Sequence, residues 1–242
     1  MIELRDVWKT LGSREILRGL DLTIPDGVNY VLMGRSGTGK SVTLRHVIGI
    51  LKPDRGQVLV DGVDVPKLSR KDLQELRRRM GYLFQNGALI NWLTVGQNVA
   101  LPLQENTETP PDEILERVVE VLRLVGMEHA INQFPSDISG GMKLRAGLAR
   151  ALISKPAYVL YAEPNAGLDP IISNQIHRLI ADVRDQLGVT GLIVTHSRHC
   201  AMDCGDRIGL LDGGRIAAEG TIDEMLASED ELVRSFLSGH AD

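Results

Sequence analysis

The sequence predicts an α/β fold in which a mixed β-sheet core carries an inserted α-helical subdomain. Three observations support this. Short apolar runs of strand length recur towards both ends of the chain, the middle is mostly helical in its periodicity, and glycine- or proline-containing turns separate the runs. At 242 residues, 43% of them hydrophobic, the chain can bury one large core.

The elements follow in order. "IELRDV" and "LRGLDLTI" alternate apolar and polar residues, as half-buried N-terminal strands do. "VNYVLM" is a continuous apolar run ending at Gly34, which suits a buried strand. A helix is expected from Lys40 to about Ile50. "GQVLVDG" reads as another strand, and a charged helix runs from Ser69, its N-cap, to Arg78. Short strands are expected at "GYLF", "AYVLYA", "TGLIVT" and "RIGLL", with helical stretches between them. From Gly87 to about Pro156 the pattern is helical, including "DEILERVVEVLRLVG" and "GGMKLRAGLARALI", with the polar loop "ENTETPPDE" between helices. Residues 1–86 and 157–242 are thus expected to form the core and 87–156 the helical subdomain.

A formal charge of -5 weighs against nucleic acid as the main partner, because backbone phosphates demand a cationic face. No apolar run approaches the roughly 18 residues of a membrane span, and "MIELRDVWKT" lacks a secretory pattern. The chain is therefore expected in the cytosol, reaching a membrane only through another subunit. Cys200 and Cys204, with His196 and His199 just ahead, match no common zinc spacing and read as reduced, half-buried helix cysteines.

Three stretches carry chemistry. "GRSGTGKS" (Gly34, Arg35, Ser36, Gly37, Thr38, Gly39, Lys40, Ser41) follows a strand and opens a helix, as G-x-x-x-x-G-K-[ST] requires. Its glycines let successive N–H groups turn towards phosphate oxygens at a positive helix end. Lys40 is placed to reach the β- and γ-phosphates, and Ser41 to ligate magnesium. "DISGGMKLRAGLAR" opens a second helix with Ser139, Gly140 and Gly141, another anion-ready terminus. "VLYAEPNAGLDP" runs from a strand into an acidic turn bearing Glu163 and Asp169. Nucleotide-hydrolysing proteins usually end such a strand in two carboxylates, but the first position here is Ala162.

With Gln85 after "GYLF" and His196 after "GLIVT", this ordered set resembles the ATP-binding-cassette (ABC) ATPases over nearly the whole chain. The resemblance implies a P-loop core and a head-to-tail homodimer holding ATP and Mg2+ between one copy's P-loop and the other's signature. It implies that Ser139, Gly140 and Gly141 bind the γ-phosphate across the interface and that Asp169 links the two sites. Gln85 would sense magnesium and the attacking water. Glu163 would be the general base, and His196 would contact the γ-phosphate and align base and water. Leu11 stands where the family commonly stacks an aromatic ring on adenine, with Trp8 three residues early. Base contact is expected to be weaker by on the order of 1 kcal/mol. Ala162 occupies the place of the Walker B aspartate, which orients magnesium, so slower turnover is expected.

"GRSGTGKSVTLRHVIGILKPDRGQVLVDG", "LFQNGALINWLTVGQNVALPL" and "LVRSFLSG" are similar, more narrowly, to ATPase subunits of Mce/Mla-type lipid transport systems. That similarity implies a membrane permease, an Mce-type lipid-binding protein, phospholipid or related cargo, and a place at the cytoplasmic face of the inner membrane. It also implies that a permease helix docks near Leu89, Ile90, Trp92, Leu93 and Val95. Two other readings stay open: an importer ATPase for another substrate class, and a hydrolysis-impaired dimer gated by nucleotide.

Overall fold

The computed structural model describes residues 1–238. Strand β3 (Asn29–Met33) is buried at every residue, and its side chains alternate between two apolar cores. Val31 and Met33 face one core, while Tyr30 and Leu32 face the other. The same period of two repeats in β7 (Tyr158–Ala162), where Val159 and Tyr161 oppose Tyr158 and Leu160. A sheet covered on both faces explains why these segments read as unbroken apolar runs.

These strands belong to a six-stranded sheet. It also contains β6 (Met80–Leu83), β8 (Thr190–Thr195), β9 (Arg207–Asp212) and β10 (Arg215–Thr221), in the order β10-β9-β3-β8-β7-β6. All neighbouring pairs are parallel except β9 with β10, so the sheet is mixed, as expected. An antiparallel sheet packs over one face, with β1 (Ile2–Leu11), β2 (Arg14–Ile24), β4 (Arg55–Val60) and β5 (Val63–Asp64) in the order β2-β1-β4-β5. Helices α1 (Lys40–Val47) and α2 (Arg70–Arg78) pack on that side, through Leu44, Val47 and Leu76. Helix α1 stops short of Ile50 because Gly49 turns the chain at φ 68°.

The opposite core takes α3 (Val95–Asn106), α4 (Pro111–Leu124), α5 (Gly140–Leu152), α6 (Pro170–Leu187) and α7 (Arg198–Cys204). Side chains fix where these helices begin. Ser69 accepts from the Asp72 N–H at 3.2 Å, Thr94 and Gln97 form a reciprocal capping box, and Asp169 accepts from the Ile171 and Ile172 N–H groups at 3.0 Å. The chain closes with α8 (Ile222–Leu226) and α9 (Glu231–Ser238), the latter burying Val233 and Leu237. Cys200 and Cys204 are fully buried rather than half-buried, with sulfurs 3.8 Å apart, because the inner face of α7 packs into the core. Among the described residues no helix is long and apolar enough to cross a membrane.

Candidate functional site

Four neighbouring parallel strands, β3, β8, β7 and β6, end on the same edge of the sheet, where α/β folds place their ligands. The predicted residues follow directly: Gly34 after β3, His196 after β8, Glu163 after β7 and Gln85 two residues after β6.

The loop after β3 is tight. Gly37 and Gly39 adopt φ 77° and 113°, and a Cβ on Gly39 would lie 2.8 Å from Leu17. Gly39 gives α1 no side-chain cap, which leaves its first N–H groups available to an anion. Lys40 is only 6% exposed, and its Nζ donates to the Gly34 and Arg35 carbonyls at 2.6 and 2.9 Å. Burial pulls its pKa below the usual lysine value, with the Glu163 charge acting the other way. The ammonium is thus held by its own loop where better acceptors, phosphate oxygens, would displace those carbonyls. Thr38 turns its hydroxyl back onto the Arg35 carbonyl at 2.9 Å.

Across the cleft, Glu163 sits in the left-handed region at φ 49°, anchored by its N–H to the Val194 carbonyl at 2.9 Å. That conformation costs a non-glycine residue about 1–3 kcal/mol and persists only where its surroundings enforce it. Every hydrogen bond to its carboxylate among the described residues goes to one oxygen, Oε2. The Thr195 hydroxyl donates at 3.1 Å, the His196 N–H at 3.4 Å, and His196 Nδ1 lies at 3.0 Å.

These groups line a cleft of about 1270 Å³. Of the predicted residues, Gly34, Arg35, Ser36, Gly37, Gly39, Lys40, Ser41, Glu163 and His196 border it. Leu11 lies exposed at the end of β1 and is not part of the wall, which Ile16 and Arg14 supply instead. Trp8 is engaged elsewhere, with the Arg55 guanidinium 5.8 Å from its ring. Phe236 of α9 joins the wall and sits 5.9 Å beneath the Arg35 guanidinium. Sequence reasoning missed Arg14, Phe236 and Thr195. Only Thr195 left a signal, as a hydroxyl residue closing an apolar strand directly before His196.

Gln85 is exposed and stands outside the cleft wall. It opens a left-handed run, with Asn86, Gly87 and Ala88 at φ 59°, 74° and 44°. Arg150 of α5 clamps this run, donating to the Gly87 and Ala88 carbonyls at 2.8 and 2.9 Å. Ser139 and Gly140 are exposed at the start of α5 with Gly141 buried behind them, and Asp169 caps α6. None of these four borders the cleft of its own chain. Of the residues named for permease docking, Val95 is fully buried, Leu89, Ile90 and Leu93 are half-buried, and Trp92 is 79% exposed.

The donor set suits magnesium. Ser41 presents a hard hydroxyl oxygen in the cleft and Gln85, beyond the end of β6 and outside the cleft wall, carries a side-chain carbonyl, and Mg2+ takes one or two protein oxygens alongside substrate phosphates. Ala162, at the last position of β7, adds no oxygen from its side chain.

Residues 17–166 match the family described as ABC transporter. A probable ribonucleotide transport ATP-binding protein, mkl, of Mycobacterium leprae (strain TN) is 43% identical over 98% of this chain and 69% of its own. Its counterpart in Mycobacterium tuberculosis (strain ATCC 25618 / H37Rv) is equally identical, with 66% of its length covered. The intermembrane phospholipid transport system ATP-binding protein MlaF of Escherichia coli (strain K12) is 39% identical over 100% of this chain and 90% of its own. Among solved structures, the ATP-binding cassette MJ0796, a post-hydrolysis dimer bound to ADP and Pi, superposes with a TM-score of 0.82. It is 31% identical, with 92% of this chain and 99% of that chain covered. Phosphate cradle, strand-end carboxylate and histidine, and whole-length similarity agree: the chain belongs to the ABC transporter family, as one of its ATP-hydrolysing cassettes.

Proposed function

We propose that this cassette works as a homodimer beneath a membrane permease, at the cytoplasmic face of the inner membrane, and drives phospholipids or related hydrophobic molecules across the bacterial envelope with an Mce-type lipid-binding protein. The observation that carries this reading is the match to MlaF, which spans the entire chain. The exposed Trp92 adjoining half-buried Leu89, Ile90 and Leu93 gives an apolar surface suited to a permease helix. Residues 87–156 are proposed to move as one subdomain against the core of 1–86 and 157–242.

In the proposed cycle Lys40 leaves the Gly34 and Arg35 carbonyls for the β- and γ-phosphates of ATP. Magnesium, when bound with the nucleotide, would be held by Ser41 and Gln85 and would offset phosphate charge. Glu163 accepts a proton from water, and His196 contacts the γ-phosphate and keeps base and water in line. Ser139, Gly140 and Gly141 of the second copy close over the same phosphate. Asp169 links the two sites, and Ile16, which lines the cleft where Leu11 does not, offers the adenine an apolar edge.

Ala162 favours a second reading, a dimer that clamps ATP but turns it over poorly. Loss of an outer-shell metal partner typically costs about 10–100-fold in metal affinity, so binding is retained and speed suffers. Affinity purification of the full chain from membranes, followed by protein and lipid mass spectrometry, tests the assignment. A copurifying permease carrying phospholipid supports it. A permease loaded with amino acid or metal ion, or a complex that binds ATP and releases no phosphate at saturating magnesium, overturns it.

A further inference from the structure

We infer that Thr195 is a positioning residue for hydrolysis: its hydroxyl fixes which oxygen of Glu163 faces the attacking water. The inference rests on the reading of Glu163 as the base. Thr195 closes β8 with no solvent exposure, so its side chain cannot exchange partners with bulk water. A hydroxyl has one proton to give. Thr195 Oγ1 already accepts the Ser197 N–H at 3.0 Å, and its own proton goes to Glu163 Oε2 at 3.1 Å. The bond from the next turn holds the hydroxyl between the Glu163 carboxylate and the buried Cys200 thiol, and of these the carboxylate is the stronger acceptor.

His196 cannot do this alone. Its ring is 67% exposed and free to leave Oε2 for a phosphate, whereas Thr195 stays in place. With Oε2 engaged by Thr195 and by the His196 N–H, the two carboxylate oxygens become distinct. Oε2 is the anchor, and Oε1, which has no partner among the described residues, is the lone-pair site left for water. A base must present its acceptor within about 2.6–3.2 Å of the proton it takes. Rotation of the carboxylate would spoil that alignment without touching ATP binding.

The experiment measures steady-state ATPase of the full chain as Thr195→Val, Thr195→Ser, Glu163→Gln and the Thr195→Val/Glu163→Gln double variant. Valine keeps the β-branched shape and removes both the donor to Glu163 and the acceptor of the Ser197 N–H, whereas serine keeps both. Expected is a fall in kcat of about tenfold or more for Thr195→Val, with the KM for ATP within about twofold. Thr195→Ser should recover most of the rate, and Thr195→Val should change nothing further once Glu163 is Gln. The inference is overturned if Thr195→Val keeps the parental kcat, if KM rises in step with the loss, or if serine rescues no better than valine. Should the valine variant fail to fold, Thr195→Cys, which keeps a weak donor of similar size, is compared with Thr195→Ala, and only cysteine should retain rate. Parental activity in Glu163→Gln would instead sink the base assignment itself, a result separable from any Thr195 outcome.

Discussion

Ala162 ends β7 half-buried against an apolar core, one residue before the strained Glu163 that lines the cleft. Ala162→Asp is expected to raise ATPase activity at sub-millimolar magnesium by up to the ~10–100-fold typical of a lost metal partner, with the two forms converging as magnesium saturates. Equal rates across a magnesium titration would contradict that. Asp61 supports a pH-dependent test far from the cleft. Burial alone would push its carboxyl up, but the Tyr158 hydroxyl, the N-terminal amine and Arg79 outweigh burial and hold it down to about 2. A carboxyl depressed by folding stabilises above its unfolded pKa near 3.8, and that contribution is lost as pH falls towards 2. Asp61→Asn, which tolerates the φ of 51° equally well, should cost on the order of 1 kcal/mol at pH 7 by chemical denaturation. The deficit should shrink between about pH 4 and pH 2. At this scale the P-loop was legible because its residue types dictate its backbone: only glycine accepts φ 113° at residue 39 with Leu17 so close. Arg14 and Phe236 were not legible, since each joins the cleft through tertiary packing that leaves no local pattern.

At the scale of elements, the join between the stretch after Gln85 and helix α5 is made by backbone contact. A Cβ on Gly87 would lie 2.3 Å from the Lys143 carbonyl, and one on Gly147 2.8 Å from the Gly87 Cα. Two glycines thus let a left-handed run press against the helix that begins with Ser139, and Arg150 locks the contact from the other end. A shift of α5 must carry Gln85 with it. Arg150→Met keeps much of the aliphatic bulk but strands two carbonyls. It should destabilise the protein by about 2–3 kcal/mol, since hydrogen bonds from a charged donor are worth about that much. It should also lower ATPase more than ATP binding, measured side by side by phosphate release and nucleotide titration. Unchanged melting and turnover would show that the clamp is idle. Helices α2 and α5 were readable because a serine cap and the 3.6-residue period both mark them, and α4 because proline and acidic residues open a periodic run. Strand β10 was not, because "RIAAEGT" is half-exposed, edge-bound and too small-residued to show alternation.

At the scale of the whole molecule, the two anion-ready helix ends do not share a cleft within one chain: the P-loop borders it, and Ser139, Gly140 and Gly141 do not. If each completes the other's site across a head-to-tail pair, two inactive variants must rescue one another. Lys40→Ala destroys the cradle and spares the start of α5. Gly140→Asp does the reverse, at an exposed position where an added Cβ meets only Leu168 at 3.5 Å and no positive φ is needed, so the fold is spared. The introduced carboxylate would confront a triphosphate at close range, which is repulsive by several kcal/mol in a water-poor seam. Each variant alone should be inactive. Mixed in equal amounts under exchanging conditions, half of the pairs are hybrids, and each hybrid holds one intact site and one doubly damaged site. Activity should therefore return to about a quarter of the parental rate if the sites work independently, and to less if they are coupled. A site assembled within one chain predicts no recovery at any ratio, because every copy would carry its own lesion. Recovery that rises and falls with the mixing ratio, highest near equality, is the signature of shared sites and requires no structure of the assembled pair to interpret.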